Sequence, residues 1–116
     1  MEGFEVTHRD DSGIAVLQLK GFLDAHTAPT LESALQNCID EQKFKIIVNF
    51  EDLTYISSAG LGVFMGFIEE VREKSGDIKL SNMSAKIFRV FDLLGFPALY
   101  DILDKEEEAK SSFNKQ

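Results

Sequence analysis

The sequence predicts an α/β domain with a mixed, mostly parallel sheet in the order β-β-α-β-α-β-α-β, followed by a C-terminal tail or helix. Three observations predict it. Short alternating or β-branched runs take turns with stretches whose apolar residues recur every three or four positions. Only a turn cluster separates the first two strand-like runs, the spacing of a hairpin, whereas the later ones are separated by helical patterns, the spacing of parallel crossovers. The length, 116 residues, and the 44% hydrophobic content with ten Phe suffice for one core and not for two.

Each element has its own signal. Phe4 to Arg9 alternates and reads as a half-exposed strand, Asp10-Asp11-Ser12-Gly13 as a turn, and Ile14 to Lys20 as a more buried strand closed by Gly21. Phe22 to His26 then leads into a helix with Leu31, Ala34, Leu35, Cys38 and Ile39 on one face. Thr27 is its expected N-cap, and Pro29 lies in the first turn, where a missing N–H costs little. Lys45 to Phe50 reads as a central strand covered on both faces, ended by a polar break at Glu51-Asp52.

A second helix is expected from near Ser58 to about Lys74. Its rows Leu61/Phe64/Met65/Ile68 and Val63/Phe67/Val71 would bury most of the first three turns. Ser75-Gly76-Asp77 breaks it before a short strand, Ile78-Lys79-Leu80. Ser84 caps a third helix with Ile87, Val90, Phe91 and Leu94 on one face, and Gly95 followed by Pro97 ends it. Leu99 to Leu103 is a last strand or a short apolar segment. Lys105 to Gln116 is charged, a frayed helix or a disordered tail, so a single domain spanning 1–116 is expected to have its core over about 4–104.

Twelve Lys and Arg against 20 Asp and Glu leave a net charge of −8, and the pI is about 4.7. That balance argues against nucleic acid and anionic lipid as partners and suits a basic protein surface. No apolar stretch approaches the roughly 20 residues needed to span a bilayer. Met1 to Glu5 lacks the charged and apolar regions of a signal peptide, and the single Cys38 cannot form an internal disulfide. A cytoplasmic location is the expectation.

The densest chemical signal is Asp52-Leu53-Thr54-Tyr55-Ile56-Ser57-Ser58-Ala59-Gly60-Leu61-Gly62, between the most buried strand and the most apolar helix. Hydroxyls and small residues meet there at a helix N-terminus. Either Ser57 or Ser58 can simply cap the helix. The same free N–H groups and positive dipole end would also tolerate a phosphate on Ser58.

Enzymatic readings of the segment fail on composition. A nucleophile elbow needs Gly two residues before the serine, where Ile56 stands, and nothing ties His8 or His26 to Ser58 as a base. A phosphate-binding loop needs Lys and Ser/Thr after its second glycine, whereas Phe67-Ile68 follows Gly66. Gly60, Gly62 and Gly66 imitate a dinucleotide fingerprint, but no acidic residue ends the next strand. No cofactor is expected. Gly62 and Gly66, four residues apart, read instead as allowing close packing on a neighbour or a partner. Asp10, Asp11 and Asp52 read as solvated turn residues. Asp24 and His26 lack a third ligand at metal-binding spacing, so no metal is expected. Cys38 behaves as a small core hydrophobe, and Glu106-Glu107-Glu108 as a solvated face.

Four segments together resemble a known family. They are Leu19-Lys20-Gly21-Phe22-Leu23-Asp24, Ile46-Ile47-Val48-Asn49-Phe50, the Asp52–Gly62 segment, and Ile87-Phe88-Arg89-Val90-Phe91-Asp92-Leu93-Leu94-Gly95. In order and spacing the chain resembles a single-domain STAS protein of the bacterial anti-sigma factor antagonists. The resemblance implies a phosphorylation-switched binding module and not an enzyme. Unphosphorylated, such a protein binds an anti-sigma factor that is also a Ser/Thr kinase and frees its sigma factor; a PP2C-type phosphatase resets it. The phosphorylated serine corresponds to Ser58. The implied docking surface comprises Asp24, Thr54, Tyr55, Ile56, Ser57, Ser58, Ala59, Gly60, Leu61 and Gly62. The family usually has Asp where this chain has Ser57, which adds Ser57 as a rival acceptor. The alternative within the same fold is a constitutive scaffold or transport-accessory STAS domain. A small nucleotide-binding protein is the reading from a different class.

Overall fold

A computed structural model describes residues 3–114. The chain forms strand β1 (Phe4–Asp11), strand β2 (Ile14–Leu23), helix α1 (Ala28–Asp40), strand β3 (Lys45–Ile56) and helix α2 (Ser58–Glu73). Strand β4 (Asp77–Ser81), helix α3 (Ala85–Leu93), a 3₁₀ turn over Phe96–Ala98, strand β5 (Ile102–Leu103) and helix α4 (Glu106–Asn114) complete it. One five-stranded sheet runs β1-β2-β3-β4-β5, antiparallel between β1 and β2 and parallel thereafter. The strands thus lie in sequence order. Crossovers of one hand, all stepping the same way, place α1, α2 and α3 on one face of the sheet.

The hairpin is tighter than the sequence suggests. Asp10 and Asp11 pair with Ala15 and Ile14, so the turn is only Ser12-Gly13, both at positive φ (55° and 86°). A two-residue turn of this kind matches the twist of the flanking strands, which lets the acidic pair stay in β1. The polar break expected at Glu51-Asp52 is also absent. Strand β3 runs on to Ile56, pairing Lys20 with Asp52, Phe22 with Tyr55 and Leu23 with Ile56. Two register shifts, between Gln18 and Lys20 and between Gly21 and Phe22, insert extra β3 residues as bulges. The Asn49 side-chain oxygen accepts from the Glu51 N–H at 2.8 Å across the first of them.

The main core lies between the sheet and the first three helices. Leu17, Leu19 and Leu23 of β2, Val48 and Phe50 of β3, and Leu80 of β4 meet Leu31 and Leu35 of α1, Phe64 and Val71 of α2, and Ile87 and Phe91 of α3. Phe91 is the hub of the aromatic packing, edge-on to Phe50 at 5.4 Å and to Phe96 at 5.0 Å. Helix α3 starts as expected, with Ser84 Oγ accepting from the Ile87 N–H, and ends at Gly95, whose φ of 79° is the left-handed conformation glycine adopts freely. Two expected core positions are outside it: Met65 and Leu94 are exposed. Both helices bury a narrower stripe than their apolar content suggests.

The second face of the sheet is covered by α4. Residues read as a charged tail form a helix whose Ala109 and Phe113 pack on Ile14, Val16 and Ile47, so the core continues beyond residue 104. Polar contacts hold it there. Glu106 accepts from Arg9, from the Asn49 amide at 2.9 Å and from Lys110 at 2.9 Å, and Lys110 also reaches Asp11. Residues 115–116, the end of the expected tail, lie outside the described residues, as do Met1 and Glu2 of the N-terminal segment.

Candidate functional site

The parallel strands β2, β3 and β4 all end at one edge of the sheet, where the chain passes from strand to helix. Loops at this edge are held in place by the strands beneath them and so are suited to carry binding residues. Leu23 joins two of these transitions: its carbonyl accepts from the Ser57 N–H at 2.9 Å, so the end of β2 and the start of α2 are tied together. Gly60 sits against the same residue. A Cβ there would lie 2.7 Å from Leu23 Cγ and 3.1 Å from Leu23 O, so the first turn of α2 can approach β2 only because Gly60 has no side chain.

Asp24 follows Leu23 directly and organises the corner. Its carboxylate accepts from the N–H groups of Thr27 (3.1 Å) and His26 (2.9 Å). The Thr27 and His26 N–H groups favour the charged form, and the Asp24 pKa is lowered. Thr27 stands at the N-cap of α1, as the sequence predicts, but its side chain makes no capping bond to the helix. Its hydroxyl donates to the Phe22 carbonyl at 2.8 Å and accepts from the Asp24 N–H at 2.9 Å, which locks the corner instead. The bonds to the Asp24 carboxylate all go to Oδ1, which holds it in place as a half-buried charge.

At the start of α2 the two serines separate in role. Ser57 is the N-cap, in extended conformation, and its Oγ accepts from the Gly60 N–H at 3.4 Å. Ser58 is the first helical residue and is exposed. Its hydroxyl makes no hydrogen bond among the described residues. The capping alternatives thus resolve to Ser57, and the free hydroxyl at the positive end of the helix is that of Ser58.

The structure gathers the residues singled out in the sequence but divides them. Thr54, Tyr55, Ser58, Ala59 and Gly62 are exposed, and Asp24 and Ser57 are half-buried. Ile56, Gly60 and Leu61 are buried and support the surface from below. Thr54 donates to the Gly21 carbonyl at 3.2 Å. Phe22 belongs with this set and was not singled out. Its ring stands 5.9 Å from that of Tyr55, its partner in the sheet, and both are exposed. The register of β2 against β3 could have found it, because Leu23 next to it points into the core. Gly62 and Gly66 lie on the exposed side of α2, and a Cβ at either would meet nothing within 4 Å. No neighbour within the described residues therefore requires them. Cys38 is buried beneath α1 and its thiol is pushed up to about 11 by that burial, a core residue as expected.

Known proteins share both the sequence and the shape. The STAS domain model matches residues 5–109. The anti-sigma-B factor antagonist of Bacillus subtilis is 34% identical over 91 residues, covering 78% of this chain and 83% of that protein. An anti-sigma factor antagonist from Mycobacterium paratuberculosis superimposes with a TM-score of 0.88 at 18% identity, covering 95% and 93% of the two chains. The Bacillus cell fate determinant SpoIIAA, solved in its phosphorylated form, superimposes with a TM-score of 0.71 at 27% identity, covering 96% and 99%. The carboxyl-edge serine loop, the strand order and these likenesses converge: the chain belongs to the STAS domain family, among its anti-sigma factor antagonists.

Proposed function

We propose that Ser58 is the phosphate acceptor of a binding switch. Unphosphorylated, the chain docks on a Ser/Thr kinase-type anti-sigma factor through Asp24, Thr54, Tyr55, Ser57, Ser58, Ala59 and Gly62, and so frees the sigma factor. Phosphorylation ends the contact, and a PP2C-type phosphatase restores it. The protein acts in the cytoplasm by binding and carries out no reaction of its own.

One observation carries this reading: of two adjacent serines, only Ser58 has an exposed hydroxyl with no partner inside the described residues, while Ser57 spends its oxygen on the helix cap. The fold supports it, because a phosphate at Ser58 sits at the positive end of α2 and is tolerated there. The phosphorylated form in which the relative SpoIIAA was solved is consistent with it. Against a partner surface, about −1.5 to −2 added charges on a small neutral contact must be desolvated without a counter-charge, which breaks binding and leaves folding intact. Incubating the chain with the cognate kinase and ATP, followed by intact-mass measurement and site mapping, tests the assignment. A single phosphate on Ser58 is expected; phosphate on Ser57 or Thr54 would overturn it.

A further inference from the structure

We propose that Phe22 and Tyr55 form the apolar anchor of the contact with the anti-sigma factor, receiving aliphatic side chains that lie within a basic surface of that partner. The inference rests on the Ser58 reading and extends its surface from the loop onto the outer face of the sheet. Phe22 and Tyr55 pair across β2 and β3, 44% and 45% exposed, with ring centres 5.9 Å apart. Their neighbours Leu23 and Ile56, also paired, turn into the core. The rings thus stand on the sheet face opposite α1, α2 and α3. Helix α4 covers that face at its other end. Its apolar contacts on β2 reach Val16, and Phe22 is six residues further along the strand, about 20 Å.

The backbone fixes this placement. The strand register shifts between Gly21 and Phe22, and Gly21 takes a φ of 101° where a Cβ would run into the Gly3 carbonyl. Such a bulge re-aims the side chain beside it. The Phe22 carbonyl accepts from the Thr27 hydroxyl at 2.8 Å, and the Gly21 carbonyl from the Thr54 hydroxyl at 3.2 Å. Two large side chains are therefore held at the surface with little backbone freedom left to lose on binding.

Area and charge identify the occupant. Aromatic side chains bury about 150–250 Å² each, so two half-exposed rings offer about 200 Å², a quarter of the roughly 800 Å² each partner gives to a stable interface. The pair therefore serves a larger contact. The one it adjoins is that of Ser58: Tyr55 is three residues before Ser58, and Asp24 two residues after Phe22. Beside the rings, Glu5 and Asp52 flank Lys20 across the sheet and Asp24 follows Leu23, three carboxylates to one ammonium. With a chain charge of −8, this rim repels a second copy of the chain, an anionic membrane and a nucleic acid alike, and suits a basic protein surface. Rings facing such a surface take its apolar side chains, as aromatic residues at the centre of an interface do inside a polar rim.

The test uses the full chain and the purified cognate anti-sigma factor. The sequence has two tyrosines, so incorporating fluorotyrosine gives one fluorine signal for Tyr55 and one for Tyr100, which is buried and serves as the control. Complex formation should shift Tyr55 and leave Tyr100 in place. Phe22→Ser should bind at least tenfold more weakly, and Phe22→Leu within about threefold of wild type. Both should melt near wild type, since an exposed cross-strand pair contributes little to folding. Phe22→Ser with wild-type affinity, or a Tyr55 signal unmoved in a formed complex, would overturn the proposal, even where Ser58→Asp breaks the complex and the switch stands. A complex weakened by Phe22→Ser but not by Ser58→Asp would keep the anchor and strike the switch. No complex with the wild-type chain would overturn both.

Discussion

Arg9 of β1 and Glu106 of α4 form a two-point ion pair, at 2.7 and 2.9 Å, across 97 residues of chain. This pair joins the first strand to the last helix. It also turns a segment that reads as a solvated acidic run into part of the fold. Bidentate geometry fixes direction as well as distance, so α4 is seated in one register on the sheet.

Removing either half of that attachment should therefore lower stability. Glu106→Ala strands the Arg9 guanidinium and the Asn49 amide and is expected to cost about 2 kcal/mol, typical of hydrogen bonds to charged groups. Phe113→Ala empties a fully buried site over Ile14, Val16 and Ile47 and should cost about 3–5 kcal/mol. Urea unfolding of each variant measures both. Wild-type midpoints would mean that α4 frays independently of the sheet.

The same carboxylate predicts a pH dependence. Hydrogen bonds from Arg9, then from Asn49 and Lys110, hold the Glu106 pKa down to about 2, against about 4.5 when free. A depressed carboxylate stabilises the fold fully above its unfolded value and loses that contribution as pH falls through the folded one. Stability should thus decline between roughly pH 4.5 and 2, and Glu106→Gln should flatten that part of the profile. Thermal melts across the range check the slope; an equal slope in Glu106→Gln would move the cause to other carboxylates.

Much of this was legible in the sequence, and the failures have physical reasons. Periodicity located α1, α2 and α3, and Ser84 and Gly95 marked the ends of α3, because those signals act within a few residues. The Asp52–Gly62 segment marked the candidate site because its hydroxyls and glycines concentrate at a strand–helix junction. What stayed hidden depends on pairing across the sheet. Asp10-Asp11 and Glu51-Asp52 look like breaks until their partners in β2 are known. Lys79, in a strand legible from the sequence, is buried under Phe113, with Asp101 at 2.7 Å and the aromatic ring 4.8 Å away. Only the arrival of α4 explains it. The separate roles of Ser57 and Ser58 needed backbone geometry, since either serine can cap in principle.

That separation makes the two serines experimentally distinguishable. Ser57→Ala removes a long capping bond and should cost about 0.5–1 kcal/mol, the lower part of the usual range. Ser58→Ala removes no bond and should melt as wild type, while blocking phosphorylation and keeping the partner. Ser58→Asp puts a charge in the first turn, where the dipole favours it, so its melting temperature should hold or rise slightly. Its affinity for the anti-sigma factor should nevertheless fall at least tenfold, about 1.4 kcal/mol. A Ser58→Asp protein that is stable and binds normally would sink the switch and leave the constitutive scaffold.

The glycines of α2 should divide in the same way between folding and binding. Glycine inside a helix costs about 0.5–1 kcal/mol relative to alanine, and at Gly62 and Gly66 no contact within the described residues repays it. Gly62→Ala and Gly66→Ala are therefore expected to stabilise the free protein by about that amount each. Gly60→Ala serves as the opposite control, since its methyl would press on Leu23 at 2.7 Å and the melting temperature should drop. If the partner lies along α2 beyond Ser58, added methyls hold the two surfaces apart, and both stabilised variants should bind it at least tenfold more weakly. Stability by thermal melt and affinity by calorimetry on the same preparations separate the two effects. Variants that gain stability and keep wild-type affinity would confine the docking surface to the first turn of the helix and the Asp24 corner.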